Sequence, residues 1–205
     1  MKIRQSPIKF FLLIFLTAGL TLAPSLQAED PVVVLPLPNP QAIYVLSEHL
    51  SEANTVILIE NKESRKGVWE NDHFSFYGLN KDGNVQVINE SANNQNWQSI
   101  QMNALQGSDR MIQFGNVPSG SGMIFYYKTT LDKPSKQNVY IYVVIKAGKK
   151  DMARFRVTAN QEGWQRISIP LGILRLFSRT FPLTVTVLGD KKHQPAFNFY
   201  SEIYQ

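Results

Sequence analysis

The chain has 205 residues, no cysteine, and 21 Lys and Arg against 16 Asp and Glu. Without cysteine there is neither a disulfide framework nor the modified cysteine of a lipoprotein, so packing alone must hold the fold. The formal charge of +5 and the pI near 9.4 point toward nucleic acid only until the first residues are read.

Lys2, Arg4 and Lys9 precede an apolar run, Phe10 to Ala23, broken only by Thr17, Gly19 and Thr21, and no acid occurs before Glu29. The run is shorter than the roughly 20 apolar residues of a spanning helix. Pro24 ends it, and Ser25-Leu26-Gln27-Ala28 supplies the small residue before a signal-peptidase cut, with Leu26 larger than the usual alanine. Residues 1–28 therefore read as a secretory signal peptide, and the mature chain is expected in the periplasm or the medium. An uncleaved anchor would need a longer run and basic residues beyond it, where Glu29 and Asp30 stand. Cutting after Ala28 leaves 177 residues and removes three cations and no anion, so the balance falls to +2. Nucleic acid thereby loses its compositional support.

Residues 29–54 form a lead segment. The prolines of Asp30 to Pro40 fix φ and remove amide donors, which predicts extended chain. Asn39-Pro40 followed by Ile43, Leu46 and Leu50 predicts a short helix over 41–53, with a strand at Ile43 to Leu46 as the alternative. From 55 to 205, β-branched and aromatic residues gather in short runs: Val56 to Glu60, Phe74 to Gly78, Gln86 to Asn89, Gln98 to Met102, Met111 to Phe114, Gly122 to Thr129, Asn138 to Ala147, Ala153 to Thr158, Gln165 to Pro170, Leu183 to Leu188 and Ala196 to Tyr204. Turn residues at 81–84, 119–122, 147–151 and 189–192 separate them. Leu171 to Ser178 is the one further segment with helical character. The pattern predicts an all-β sandwich in a single domain, without repeats or low-complexity tracts.

Gly163-Trp164-Gln165-Arg166-Ile167-Ser168-Ile169-Pro170-Leu171 resembles the G-W-x-x-h-x-I-P-L strand of galactose-binding-like jelly rolls, a superfamily that includes many carbohydrate-binding modules. Gly122 to Lys128 is similar to its preceding, lysine-ended strand, Asn138 to Lys146 and Ala153 to Val157 to its central hairpin, Val56 to Asn61 to its opening strand and Ala196 to Tyr204 to its closing strand. The resemblance implies a jelly-roll β-sandwich over 55–205 and a non-catalytic module binding a saccharide or glycan. It also implies a calcium held by the closing strand, but Ser201-Glu202-Ile203 stands where Asp-Asp-Ile or Asp-Asn-Ile is usual. Glu60, Asn61 and Glu202 are the oxygen donors left there, with no dense acidic loop, so a structural calcium is not favoured and no cofactor is expected.

Alternation then selects candidate contact residues. In Val139 to Lys146 the residues Val139, Ile141, Val143 and Ile145 form an aliphatic face. Tyr140 and Tyr142 lie on the other, and Arg154 and Arg156 lie opposite Phe155 and Val157. A hairpin would bring these tyrosines and arginines onto one open face, combining flat rings for pyranose C–H faces with planar donors for hydroxyl or carboxylate groups. A plain solvated face is the alternative, since cross-strand Tyr and Arg pairs stabilise sheets unaided. Trp97, in an Asn- and Gln-rich loop at 93–98, and Trp69 are expected to line or cap a loop end, and Trp164 to be core. Glu63, Glu70, Asp72 and His73 are the one cluster with acid-base potential, unsupported by any second motif, and His49 and His193 show no partner in the sequence. Two other classes remain: an envelope accessory protein acting through protein contacts, which the lead segment would suit, and a polysaccharide-active enzyme.

Overall fold

The computed structural model describes residues 35–59, 63–76, 85–103, 108–131, 138–159, 163–188 and 195–205, with 135 and 193. The predicted signal peptide, Glu60, Asn61 and the turns at 81–84 and 189–192 lie outside the described residues.

Fourteen strands are present among the described residues: β1 (Ala42–Val45), β2 (Asn54–Ile59), β3 (Glu63–Lys66), β4 (Val68–Glu70), β5 (His73–Ser75), β6 (Val85–Ala92), β7 (Gln95–Asn103), β8 (Ser108–Pro118), β9 (Gly122–Thr130), β10 (Tyr140–Ala147), β11 (Lys150–Thr158), β12 (Gln165–Pro170), β13 (Thr180–Leu188) and β14 (Ala196–Tyr204). They form two antiparallel sheets. One runs β12-β9-β14-β7-β6-β5-β4, with β1 also on β14; the other runs β11-β10-β13-β8-β2-β3. The chain crosses between sheets from β1 to β2, from β3 to β4, at each step from β7 to β10, and at each step from β11 to β14. Such crossing is how a jelly roll joins its layers. The fold is thus the all-β sandwich that the strand spacing predicts.

The core follows from alternation. Ile141, Val143 and Ile145 on β10, Val185 and Val187 on β13 and Ile112 and Phe114 on β8 meet Ile100, Met102, Phe125, Phe197 and Phe199 from the facing sheet. The Phe125 ring stacks on Phe199 at 5.1 Å between centroids. Arg110 also points inward and is fully buried, its guanidinium 5.8 Å from the Phe76 ring centre; burial lowers its pKa.

The lead segment differs in one detail from the helix predicted over 41–53. Residues 42–45 are strand, and a 3-10 turn follows at Leu46–Glu52. The reason is an open hydrogen-bonding edge: β7 covers β14 only from Ala196 to Phe199, so β1 pairs with what remains, Val45 with Glu202 and Ala42 with Tyr204. Leu46 and Leu50 then drop into the core. His49 stacks on Tyr44 at 4.0 Å and faces Glu52 at 3.6 Å, so it does have partners. A second 3-10 turn, Gly172–Leu176, occupies the other segment of helical character. No helix among the described residues is long and apolar enough to cross a membrane.

Candidate functional site

β10 and β11 form a hairpin whose turn contains Gly148 at φ +58°, a conformation glycine adopts without strain. Its register sets Tyr142 opposite Arg156 and Val144 opposite Arg154. Directly opposed residues share a face, so Tyr140, Tyr142, Arg154 and Arg156 stand together on the outer surface of the six-stranded sheet, while Ile141, Val143 and Ile145 are buried beneath. Tyr142 is 47% exposed. The Arg156 guanidinium lies 4.5 Å from the Tyr140 ring centre, within the range of a cation–π contact.

Asp151, in the strand that follows the turn, organises the other cations. One carboxylate oxygen is 3.2 Å from Lys146 Nζ and the other 3.1 Å from Arg154 Nη2. Both pairs are exposed enough that solvent screens them and each adds little stability. Their effect is positional: Arg154 is drawn toward the hairpin turn, Arg156 is held over Tyr140, and Tyr142 stands free between Arg156 on β11 and Leu188 on β13. The surface offers an aromatic ring flanked by planar cations, able to pack a pyranose ring and donate to its hydroxyls or a uronate carboxylate.

The two tryptophans proposed for a loop end do not join this surface. Trp69, on β4, is half-buried and meets Phe74 edge-on at 4.9 Å against the main core. Trp97 is buried on the outer face of the other sheet, where Trp97, Tyr126, Trp164 and Tyr200 form a second apolar cluster covered in part by Leu35 and Val45. Trp97 meets Trp164 edge-on at 6.2 Å. Trp164 is buried as expected, although outside the sheet and not between the sheets. The reason for the misplacement of Trp97 is the turn: only Asn93 and Asn94, at φ 51° and 61°, form it, and Gln95 already begins β7.

That second face carries a polar network absent from the sequence reading. The Glu90 carboxylate accepts from Lys128 Nζ at 2.7 Å, Ser99 Oγ at 3.1 Å and Asn198 Nδ2 at 3.4 Å. The Lys128 ammonium also sits 4.8 Å from the Trp164 ring centre. Beside the network opens a cleft of about 500 Å³ lined by Asn89, Glu90, Ser91, Asn96, Trp97 and Gln98. Glu202 is buried, its Oε2 accepting from the Tyr200 hydroxyl at 2.9 Å and from the Asn39 amide at 3.0 Å. Burial first, and then the Glu202 charge, push the Tyr200 pKa upward. No three acidic or histidine side chains among the described residues gather closely enough to hold a metal.

Of the residues with acid-base potential, Glu70 and Asp72 are exposed, and His73 Nδ1 lies 3.0 Å from the Asn71 carbonyl.

No protein-family model and no curated protein matches the sequence. Among solved structures the chain is similar to a family 61 carbohydrate-binding module solved with β-1,4-galactotriose, at 17% identity over 61% of this chain and 84% of that one, TM-score 0.39. It is similar also to a family 28 module specific for non-crystalline cellulose, at 10% identity over 58% and 79%, TM-score 0.40. A third likeness is to the K1 cleaved adhesin domain of Lys-gingipain from Porphyromonas gingivalis W83, at 13% identity over 73% and 96%, TM-score 0.40. The architecture itself stands on the strand order and register described above.

Proposed function

We propose that this chain is an exported, non-catalytic binding module that recognises a saccharide or glycan through the outer face of the β10–β11 hairpin. The observation that carries the reading is the convergence of Tyr140, Tyr142, Arg154 and Arg156 on one solvent-facing surface, with Tyr142 open and Arg156 stacked on Tyr140. The two rings supply apolar contact of fixed shape, and the two guanidiniums supply directional donors already held by neighbours, which lowers the entropic cost of engaging a ligand. Export rests on the first 28 residues as read from the sequence. The non-catalytic reading rests on the sequence, in which Glu63, Glu70, Asp72 and His73 are supported by no second catalytic motif.

Affinity electrophoresis in polysaccharide gels, preceded by a glycan array to choose them, tests this directly. Tyr142→Ala and Arg156→Ala should each weaken retardation by at least roughly tenfold, the effect of losing an interface anchor, and Tyr140→Ala should do the same by releasing Arg156. Retention by all three variants equal to that of the wild type would remove the surface from consideration.

A further inference from the structure

The turn after β12 is an exposed apolar tip, and the chemistry around it selects one kind of partner. Ile173 is 51%, Leu176 79% and Phe177 81% exposed. These are three large apolar side chains within five residues, a concentration that soluble surfaces ordinarily avoid. The segment is not a loose loop whose side chains happen to face outward. Leu171 N–H donates to the Ser121 carbonyl at 3.0 Å, Leu174 N–H to Leu171 at 2.8 Å and Phe177 N–H to Leu174 at 3.0 Å. Ser119 clamps the far side, its amide donating to the Arg179 carbonyl at 2.9 Å and its hydroxyl to the Ser178 carbonyl at 2.6 Å. Leu174 turns inward against the main core, and with this residue as the pin the turn projects Ile173, Leu176 and Phe177 away from the sandwich.

Charge completes the pattern. Arg175 and Arg179 are exposed among these apolar groups, and no acid occurs between Glu162 and Asp190. The adjoining Ser119 and Ser121 are uncharged. In a chain whose mature balance is nearly neutral, this end combines exposed apolar bulk with cations that have long apolar stems. Arginine can keep its guanidinium at a headgroup while its stem lies along apolar surface. We propose that the Gly172–Arg179 tip inserts into the interfacial region of an anionic lipid bilayer, with Leu176 and Phe177 entering the acyl boundary and Arg175 and Arg179 engaging headgroup phosphates. A protein groove would accommodate the apolar side chains, but it gives no reason for two exposed arginines that form no ion pair among the described residues; a bilayer surface with negative phosphates does.

The absence of cysteine makes the test specific, since one introduced thiol takes the only label. The protein carrying Ile173→Cys labelled with NBD is mixed with vesicles of phosphatidylglycerol and phosphatidylcholine, and Lys149→Cys, at the β10–β11 turn, serves as the reference position. The expected result is a blue shift and quenching by nitroxide lipids at 173 and not at 149. In unlabelled protein, Leu176→Ser and Phe177→Ser should each lower vesicle partitioning by roughly tenfold or more. Arg175→Ala with Arg179→Ala, or vesicles of phosphatidylcholine alone, should each lower it by about 25-fold, from about fivefold per arginine. Because all four side chains are exposed, unfolding midpoints should stay at the wild-type value. An unchanged NBD spectrum at 173, or wild-type partitioning by Leu176→Ser with Phe177→Ser, overturns the proposal. Glycan retention in gels is read separately, and these variants should leave it intact.

Discussion

Replacing Lys128 tests whether the outer face of the eight-stranded sheet is held by its ion pair. Glu90 and Lys128 retain only 15% and 23% side-chain exposure, and their charged atoms are 2.7 Å apart. At an effective dielectric of about 20, that separation corresponds to about 6 kcal/mol of attraction before desolvation is counted. Desolvation of both groups cancels most of it. Removing one partner does not, because the carboxylate stays buried with only Ser99 and Asn198 donating to it. For a fully buried pair that loss costs about 3–5 kcal/mol; the residual exposure reduces it here to about 2–4 kcal/mol for Lys128→Ala, including about 1 kcal/mol of contact with Trp164. A domain of this size would lose about 5–12 °C in Tm. Lys128→Met keeps the stem on Trp164 and should cost about 2 kcal/mol, and Lys128→Met with Glu90→Gln should recover to within about 1 kcal/mol of the wild type. Urea unfolding followed by tryptophan fluorescence measures all three. A coupling energy below about 0.5 kcal/mol would show that water already solvates the pair and that the network contributes nothing.

Other outcomes follow from single contacts. A Cβ on Gly122 would collide with the Tyr204 hydroxyl and ring, so Gly122→Ala should cost about 1–3 kcal/mol by overpacking and most of that should return in Gly122→Ala with Tyr204→Ala, as measured by urea unfolding. Burial raises the pKa of Tyr44 to about 12 and those of Tyr127 and Tyr200 above the ordinary 10. The folded state therefore holds these protons more tightly than the unfolded chain, and their contribution is intact below pH 10 and is lost as pH climbs through the folded values. Absorbance at alkaline pH should show three tyrosines ionising late, together with unfolding; their early, independent ionisation would contradict the burial. Phe125→Ala, at the centre of the stacked rings, should cost about 3–5 kcal/mol, whereas Tyr142→Ala should change unfolding by less than about 0.5 kcal/mol while weakening glycan retention.

The strands were legible where one strand carries its own message. In Val139 to Ile145 the aliphatic residues at 139, 141, 143 and 145 separate the buried face from Tyr140 and Tyr142 without a partner, with Val144 alone breaking the alternation, and the hairpin with β11 follows from the turn between them. The Glu90 network was not legible for the opposite reason: β6, β7, β9 and β14 each contribute one ordinary polar residue, and only the register of four strands makes Glu90, Ser99, Lys128 and Asn198 neighbours. A local signal did exist for Trp97, since two asparagines tolerate the left-handed conformation that a two-residue hairpin requires; reading Asn93-Asn94 as the entire turn would have placed Trp97 on a strand. β3, beginning Glu63-Ser64-Arg65-Lys66, lacks β-branched and apolar residues and is recruited by pairing with β2. β1 likewise owes its strand to the open stretch of β14.

The last two strands of the chain lie at the interior of both sheets: β13 joins β10 to β8, and β14 joins β9 to β7. Until β13 and β14 emerge, neither sheet can close, and the earlier hairpins remain as separate ribbons of marginal stability. Folding must also wait for contacts between the first and last parts of the sequence, such as that of Asn39 with Glu202, which makes it slow relative to helical domains of similar size. For a chain proposed to cross a membrane before it works, this delay is useful: the translocating polypeptide stays threadable until β13 and β14 have followed the earlier strands, and their pairing releases the fold.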